Sequence, residues 1–125
     1  IFEDDFGFYK FVDPKYVQGA LADMKAQVPD WDVIAISMYV LREDLLPTNG
    51  TWISKTKQVK FSRIVKAQTT GAYMVNKKAM KQIRDAIAPA NCNVKVDYHT
   101  AIDTCWQPLQ QTLKWLAFEP QLGVQ

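Results

Sequence analysis

The sequence predicts a single α/β domain, or part of one, with helices flanking a mixed sheet. Three stretches carry that expectation. An Asp-Pro start followed by apolar residues at helical spacing occupies 13–28. The aliphatic run "WDVIAIS" at 31–37 reads as a strand buried on both faces. "NKKAMKQIRDAIAP" at 76–89 reads as a second amphipathic helix.

The elements follow in chain order. "IF" at the start reads as the tail of a buried strand that delivers Glu3, Asp4 and Asp5. Asp13 is placed to cap the first helix, with Pro14 at its first position. Val17, Ala20, Leu21, Met24 and Val28 form its apolar face, and Pro29-Asp30 ends it. After the "WDVIAIS" strand, "REDLLPTNGTW" reads as a loop, with Pro47 and Asn49-Gly50 as turn signals. "KQVKFSRIV" and "AQTTGAYMV" are expected to be two strands paired through a tight turn near Lys66. Gly71 inside the second of them signals a bulge or a close approach. Asn76 is placed to cap the next helix, whose apolar stripe is Ala79, Met80, Ile83 and Ile87. A short helix is expected around Ala101, Ile102 and Cys105, and "LKWLAFE" closes the sheet.

Hydrophobic residues make up 48% of the chain and charged residues 22%, the balance of an ordinary globular domain. No apolar run approaches the ~20 residues that span a bilayer as a helix. The net charge of +2 conceals an asymmetry, because no Asp or Glu lies between Lys55 and Arg84 while Lys and Arg recur there. That stretch is either a solvated surface or a place to meet an anionic ligand such as a nucleotide diphosphate. Cys92 and Cys105 fit no zinc spacing and are either two thiols or one bridge.

Carboxylates at the end of a sheet strand sit where open α/β sheets place their ligands. Strand alternation points Glu3 and Asp5 the same way and Asp4 the other, so Glu3 and Asp5 are the natural pair to hold Mn²⁺ or Mg²⁺. The competing reading is a solvated turn. His99, the lone histidine, is a further candidate ligand or a packing residue.

Four blocks in order then resemble one family. "IFEDD" followed by a helix and "WDVIAIS", "TTGAYMVNKKAMKQI", "VDYHTAID" and "PQLGVQ" together resemble the family 25 glycosyltransferases, which include lipopolysaccharide glycosyltransferases and collagen galactosyltransferases. The resemblance implies the second half of a GT-A domain, a nucleotide sugar donor, a glycan or protein acceptor, and Mn²⁺ or Mg²⁺. It implies that Asp5 holds the metal and that Glu3 contacts the metal or the donor ribose. It also implies that Asp97 orients the acceptor or serves its hydroxyl as general base, and that Thr70 and Tyr73 lie on the strand that lines the cleft and contacts the donor. In that family a nucleotide-binding half precedes the Glu-Asp-Asp motif, so an upstream half is expected to be required. No nucleic-acid partner is expected. Two other classes stand beside this one: a non-catalytic interaction module on the same half-domain, and a metal-dependent phosphotransfer enzyme or nuclease.

Overall fold

A computed structural model describes residues 1–2, 4–10, 12–45, 60–88, 91–92 and 102–124, with the backbone alone described at 42, 44, 45, 60, 70, 102 and 103. It is a mixed α/β structure. The elements are β1 (Gly7–Phe8), α1 (Pro14–Gln27), β2 (Val33–Leu45), β3 (Lys60–Val75), a 3₁₀ turn (Lys77–Ala79), α2 (Met80–Ile87), α3 (Ile102–Cys105), α4 (Leu109–Thr112), β4 (Trp115–Glu119) and β5 (Gly123–Val124).

The main sheet is built on one long antiparallel pair. β2 and β3 run from Val33↔Val75 at one end to Leu45↔Ser62 at the other. β4 lies parallel to the start of β2, through Val33↔Trp115 and Ala35↔Ala117. It also lies antiparallel to the start of β3, through Lys60↔Glu119 and Arg63↔Leu116. Each strand therefore pairs with the other two, and the hydrogen bonding closes on itself. β1 and β5 form a separate two-stranded sheet.

Strand alternation sorts the side chains into two cores. Ile34, Ile36, Leu116 and Phe118 point to one face, where Ala20 and Met24 of α1 cover them. Val33, Ala35, Trp115 and Ala117 point to the other face and meet Ala79, Ile83 and Trp106. Met38 joins the second face although Ile36 belongs to the first. The phase changes because the ladder shifts register on either side of Ser37.

The Asp13 side chain accepts the Tyr16 N–H at 2.7 Å, capping α1 as its sequence requires. Asn76 caps the 3₁₀ turn ahead of α2. Met80 is 54% exposed and leaves the expected stripe to Ala79, Ile83 and Ile87. Three other expectations are corrected. The segment around Lys66 is not a turn: β3 is continuous, and Lys66 pairs with Arg42 across register shifts in the ladder. The chain there is rich in β-branched residues and has no turn-forming residue, so the broken alternation reflects an irregular ladder. Residues 42–45 extend β2 where a loop was expected, while Pro47 and Asn49-Gly50 lie outside the described residues. Ile1 and Phe2 are exposed, at 66% and 58%, and their backbone pairs with Tyr73 and Ala72 at a strand edge.

Cys92 and Cys105 form a disulfide with Cα atoms 5.5 Å apart, a separation ordinary for such bridges. It ties the chain beyond α2 to the end of α3. Its sequence separation of 13 residues restricts the unfolded chain by about 3 kcal/mol on loop entropy. Urea denaturation of the Cys92→Ala/Cys105→Ala variant is expected to show a loss of about 2–3 kcal/mol. A midpoint unchanged from the oxidised protein would contradict the pairing.

Candidate functional site

The site grows from the place where the β2–β3 ladder opens. Ser37 pairs with Ala72 and Tyr39 pairs with Gln68, so one residue of β2 faces three of β3 across the gap. Gly71 lies inside this bulge, where the sequence signalled one. An opened ladder leaves peptide groups that need other partners. The Gln121 side chain takes both groups of Met38: its Oε1 accepts the Met38 N–H at 2.8 Å, and its Nε2 donates to the Met38 carbonyl. The Tyr39 N–H donates to Thr69 Oγ1 at 3.0 Å. The Leu122 N–H donates to the Ile36 carbonyl at 3.1 Å, so the chain after β4 follows β2 past the gap.

Thr69 has φ 61°, the left-handed region that a β-branched residue rarely enters. Such a backbone costs on the order of 1–3 kcal/mol and tends to mark functional sites. Here it turns the Thr69 hydroxyl back onto β2.

Next to the opening lies a cleft of about 810 Å³, walled by Asp5, Tyr9, Met38, Tyr39, Thr69 and Gln121 among others. The small β1–β5 sheet carries Asp5 to it. Gly7 pairs with Val124 and Phe8 with Gly123, while the Tyr9 N–H donates to the Leu122 carbonyl at 3.2 Å. These bonds hold the Asp4-Asp5 turn against the rest of the chain. Phe6 stacks on Phe2 at a centroid distance of 5.2 Å and meets Phe8 edge-on at 4.9 Å, and its ring lies against Gly123. A Cβ at Gly123 would stand 2.4 Å from the Phe6 ring and 2.5 Å from the Gly7 carbonyl oxygen.

Asp5 therefore lies at the cleft. Glu3, Asp97 and His99 lie outside the described residues. Thr70 is placed by its backbone within the bulge, beside Thr69. Tyr73 is half-buried and meets Trp106 edge-on at 5.1 Å, within the core that α2 covers. Asp5 and Tyr73 are not brought together at the cleft wall. Thr69, Tyr39, Tyr9 and Gln121 were not singled out from the sequence. Gly71 signalled the bulge that places Thr69, but nothing in the order of residues showed that Gln121 returns to Met38.

Among the described residues, no three of His, Cys, Asp and Glu gather closely enough to hold a metal. Asp5 offers one hard carboxylate to an open, water-accessible cleft. That fits Mg²⁺ or Mn²⁺ when water and phosphate oxygens complete the shell.

Several basic residues are engaged elsewhere. Lys78 pairs with Asp32 at 2.9 Å, and Lys81 and Arg84 both pair with Asp85 at 2.7 and 2.8 Å. The Lys114 ammonium, bonded to Asp30, holds that carboxyl below the usual range, and Lys81 with Arg84 does the same for Asp85. These four cations belong to surface ion pairs, which makes the solvated-surface reading the better one for Lys78, Lys81 and Arg84. Among the described residues, no helix is long and apolar enough to cross a membrane.

Gly123→Ala is expected to displace the Phe6 ring and the adjoining turn, with a loss of about 1–3 kcal/mol in urea denaturation. Phe6 ring resonances should shift with it. Unchanged stability and unchanged ring shifts would contradict the close approach. No protein-family model, curated protein or solved structure matches the chain.

Proposed function

We propose that this chain is the acceptor-side half of a metal-assisted glycosyltransferase that moves a hexose from a nucleotide diphosphate sugar to an acceptor hydroxyl. One observation carries the reading: the Asp5 carboxylate lies on an open cleft beside a break in the central ladder. The four ordered blocks of sequence support it. Asp5 and Glu3 are the residues that would hold Mn²⁺ or Mg²⁺, which would supply positive charge to offset that of the departing diphosphate. The acceptor oxygen bonds to the anomeric carbon as the bond to the diphosphate breaks. The hydroxyl proton passes to the Asp97 carboxylate acting as general base. The Thr70 backbone belongs to the bulge, next to the hydroxyl-bearing wall. Recognition of the nucleotide base falls to an upstream half, which the reaction requires.

A second reading has one observation in its favour. Ile1, Phe2, Phe8 and Val124 are all largely exposed, and surfaces of that kind serve protein contact. On that reading the chain is a non-catalytic module.

Isothermal titration of Mn²⁺ with a uridine diphosphate hexose separates the two. The wild-type chain is expected to bind, and Asp5→Ala to bind at least about tenfold more weakly. Equal heats for the two proteins would overturn the metal assignment. Binding of neither metal nor nucleotide would favour the module.

A further inference from the structure

We infer that the Asp5 cleft receives a neutral pyranose ring, stacked on Tyr39, and that it does not take the nucleotide diphosphate directly. The inference deepens the transferase reading and rests on it for the identity of the reaction.

The wall chemistry points this way. Tyr39 is 63% exposed and Tyr9 38% exposed, and both line the cleft. A large aromatic side chain left in water at a concave site is an adhesive surface, because its face is apolar and its hydroxyl remains wet. Opposite in character are the Asp5 carboxylate and the Thr69 hydroxyl on the same walls. A pyranose presents both kinds of surface: an apolar face of C–H groups and an edge of hydroxyls. None of the described lining residues is Lys or Arg. Without a metal ion, a diphosphate placed there would meet the Asp5 carboxylate and no cation among the described lining residues, an arrangement that repels it. The cleft volume of about 810 Å³ falls in the range of small-molecule sites and admits more than one sugar ring.

The ladder break explains why Tyr39 is available. Register shifts on β2 turn Met38 inward, and Tyr39 faces the cleft while its own N–H is held by Thr69. Tyr39 is thus anchored through its backbone on a strand, and its exposure lets its side chain be changed without opening a core.

Saturation-transfer NMR with lactose and methyl α-glucopyranoside, added to the full chain without metal, tests the inference. Saturation is expected on the ring C–H protons of the sugar, with shifts at the Tyr39 ring. Tyr39→Ala should weaken binding by about threefold to tenfold, and Tyr39→Phe should retain it. Metal-free uridine diphosphate should leave the Tyr39 ring unmoved. Failure of both sugars to bind, equal binding by Tyr39→Ala, or an equal Tyr39 shift with uridine diphosphate would each overturn the inference. Tyr39-dependent sugar binding by a chain that gives no Mn²⁺ heat would uphold the platform and overturn only the transferase reading. Mn²⁺ and nucleotide binding with Tyr39-independent sugar binding would overturn only the platform.

Discussion

The Met38 peptide lies in the middle of a strand, beside a gap in its ladder, and the Gln121 side chain satisfies both of its polar groups. A buried peptide without partners costs about 1–3 kcal/mol for each unpaired group, so a bulge of this size needs such a substitute. The primary amide suits the task because it carries both an N–H donor and a carbonyl acceptor, as the missing peptide would. Gln110 repeats the device on β3. It is 1% exposed, and its Oε1 and Nε2 bond the N–H and carbonyl of Ala67 at 2.7 and 3.2 Å. Two side chains thus stand in for missing strand residues in a sheet whose long strands change register repeatedly. The first of them also aligns the end of the chain along β2, which positions β5, then β1, and so the Asp5 turn.

This dependence shapes the site. Opening the ladder creates the cleft and strains Thr69, and it also turns Tyr39 outward while Met38 packs inward. Among the described residues, the cleft wall carries the Asp5 carboxylate, hydroxyls and aromatic faces, whereas Lys78, Lys81, Arg84 and Lys114 are held in ion pairs with Asp32, Asp85 and Asp30. Charge separation of that kind suits a neutral ligand at the cleft and leaves any diphosphate to be met by a metal ion.

Much of the scaffold could be read before the structure because its causes are local. Asp13-Pro14 begins a helix wherever an apolar face follows, and the run from Val33 to Ile36 has too many aliphatic residues for a strand with one wet face. Gly71 marked the bulge because a residue without a side chain is otherwise a weakness in a strand. The continuity of β3 through Lys66 was hidden, because an irregular ladder breaks alternation as a turn does. Residues 42–45 read as part of a loop because Pro47 and Asn49-Gly50 follow closely, and their pairing with β3 has no local signal. Tyr73 belongs with Trp106 and Trp115, a contact made across elements far apart in sequence. The pairing of Gln121 with Met38 spans 83 residues and has no local signature.

The central claim is that the ladder break and the Asp5 turn together form one cleft, at which Asp5 is proposed to hold a divalent cation. Paramagnetic broadening by Mn²⁺ at substoichiometric amounts, read from backbone amides of the isotopically labelled chain, tests it most directly. The account predicts that the amides of Asp5, Tyr39 and Thr69 broaden first and that this local effect disappears in Asp5→Asn. Broadening that begins around Asp30 or Asp85, or that is uniform along the chain, would contradict it.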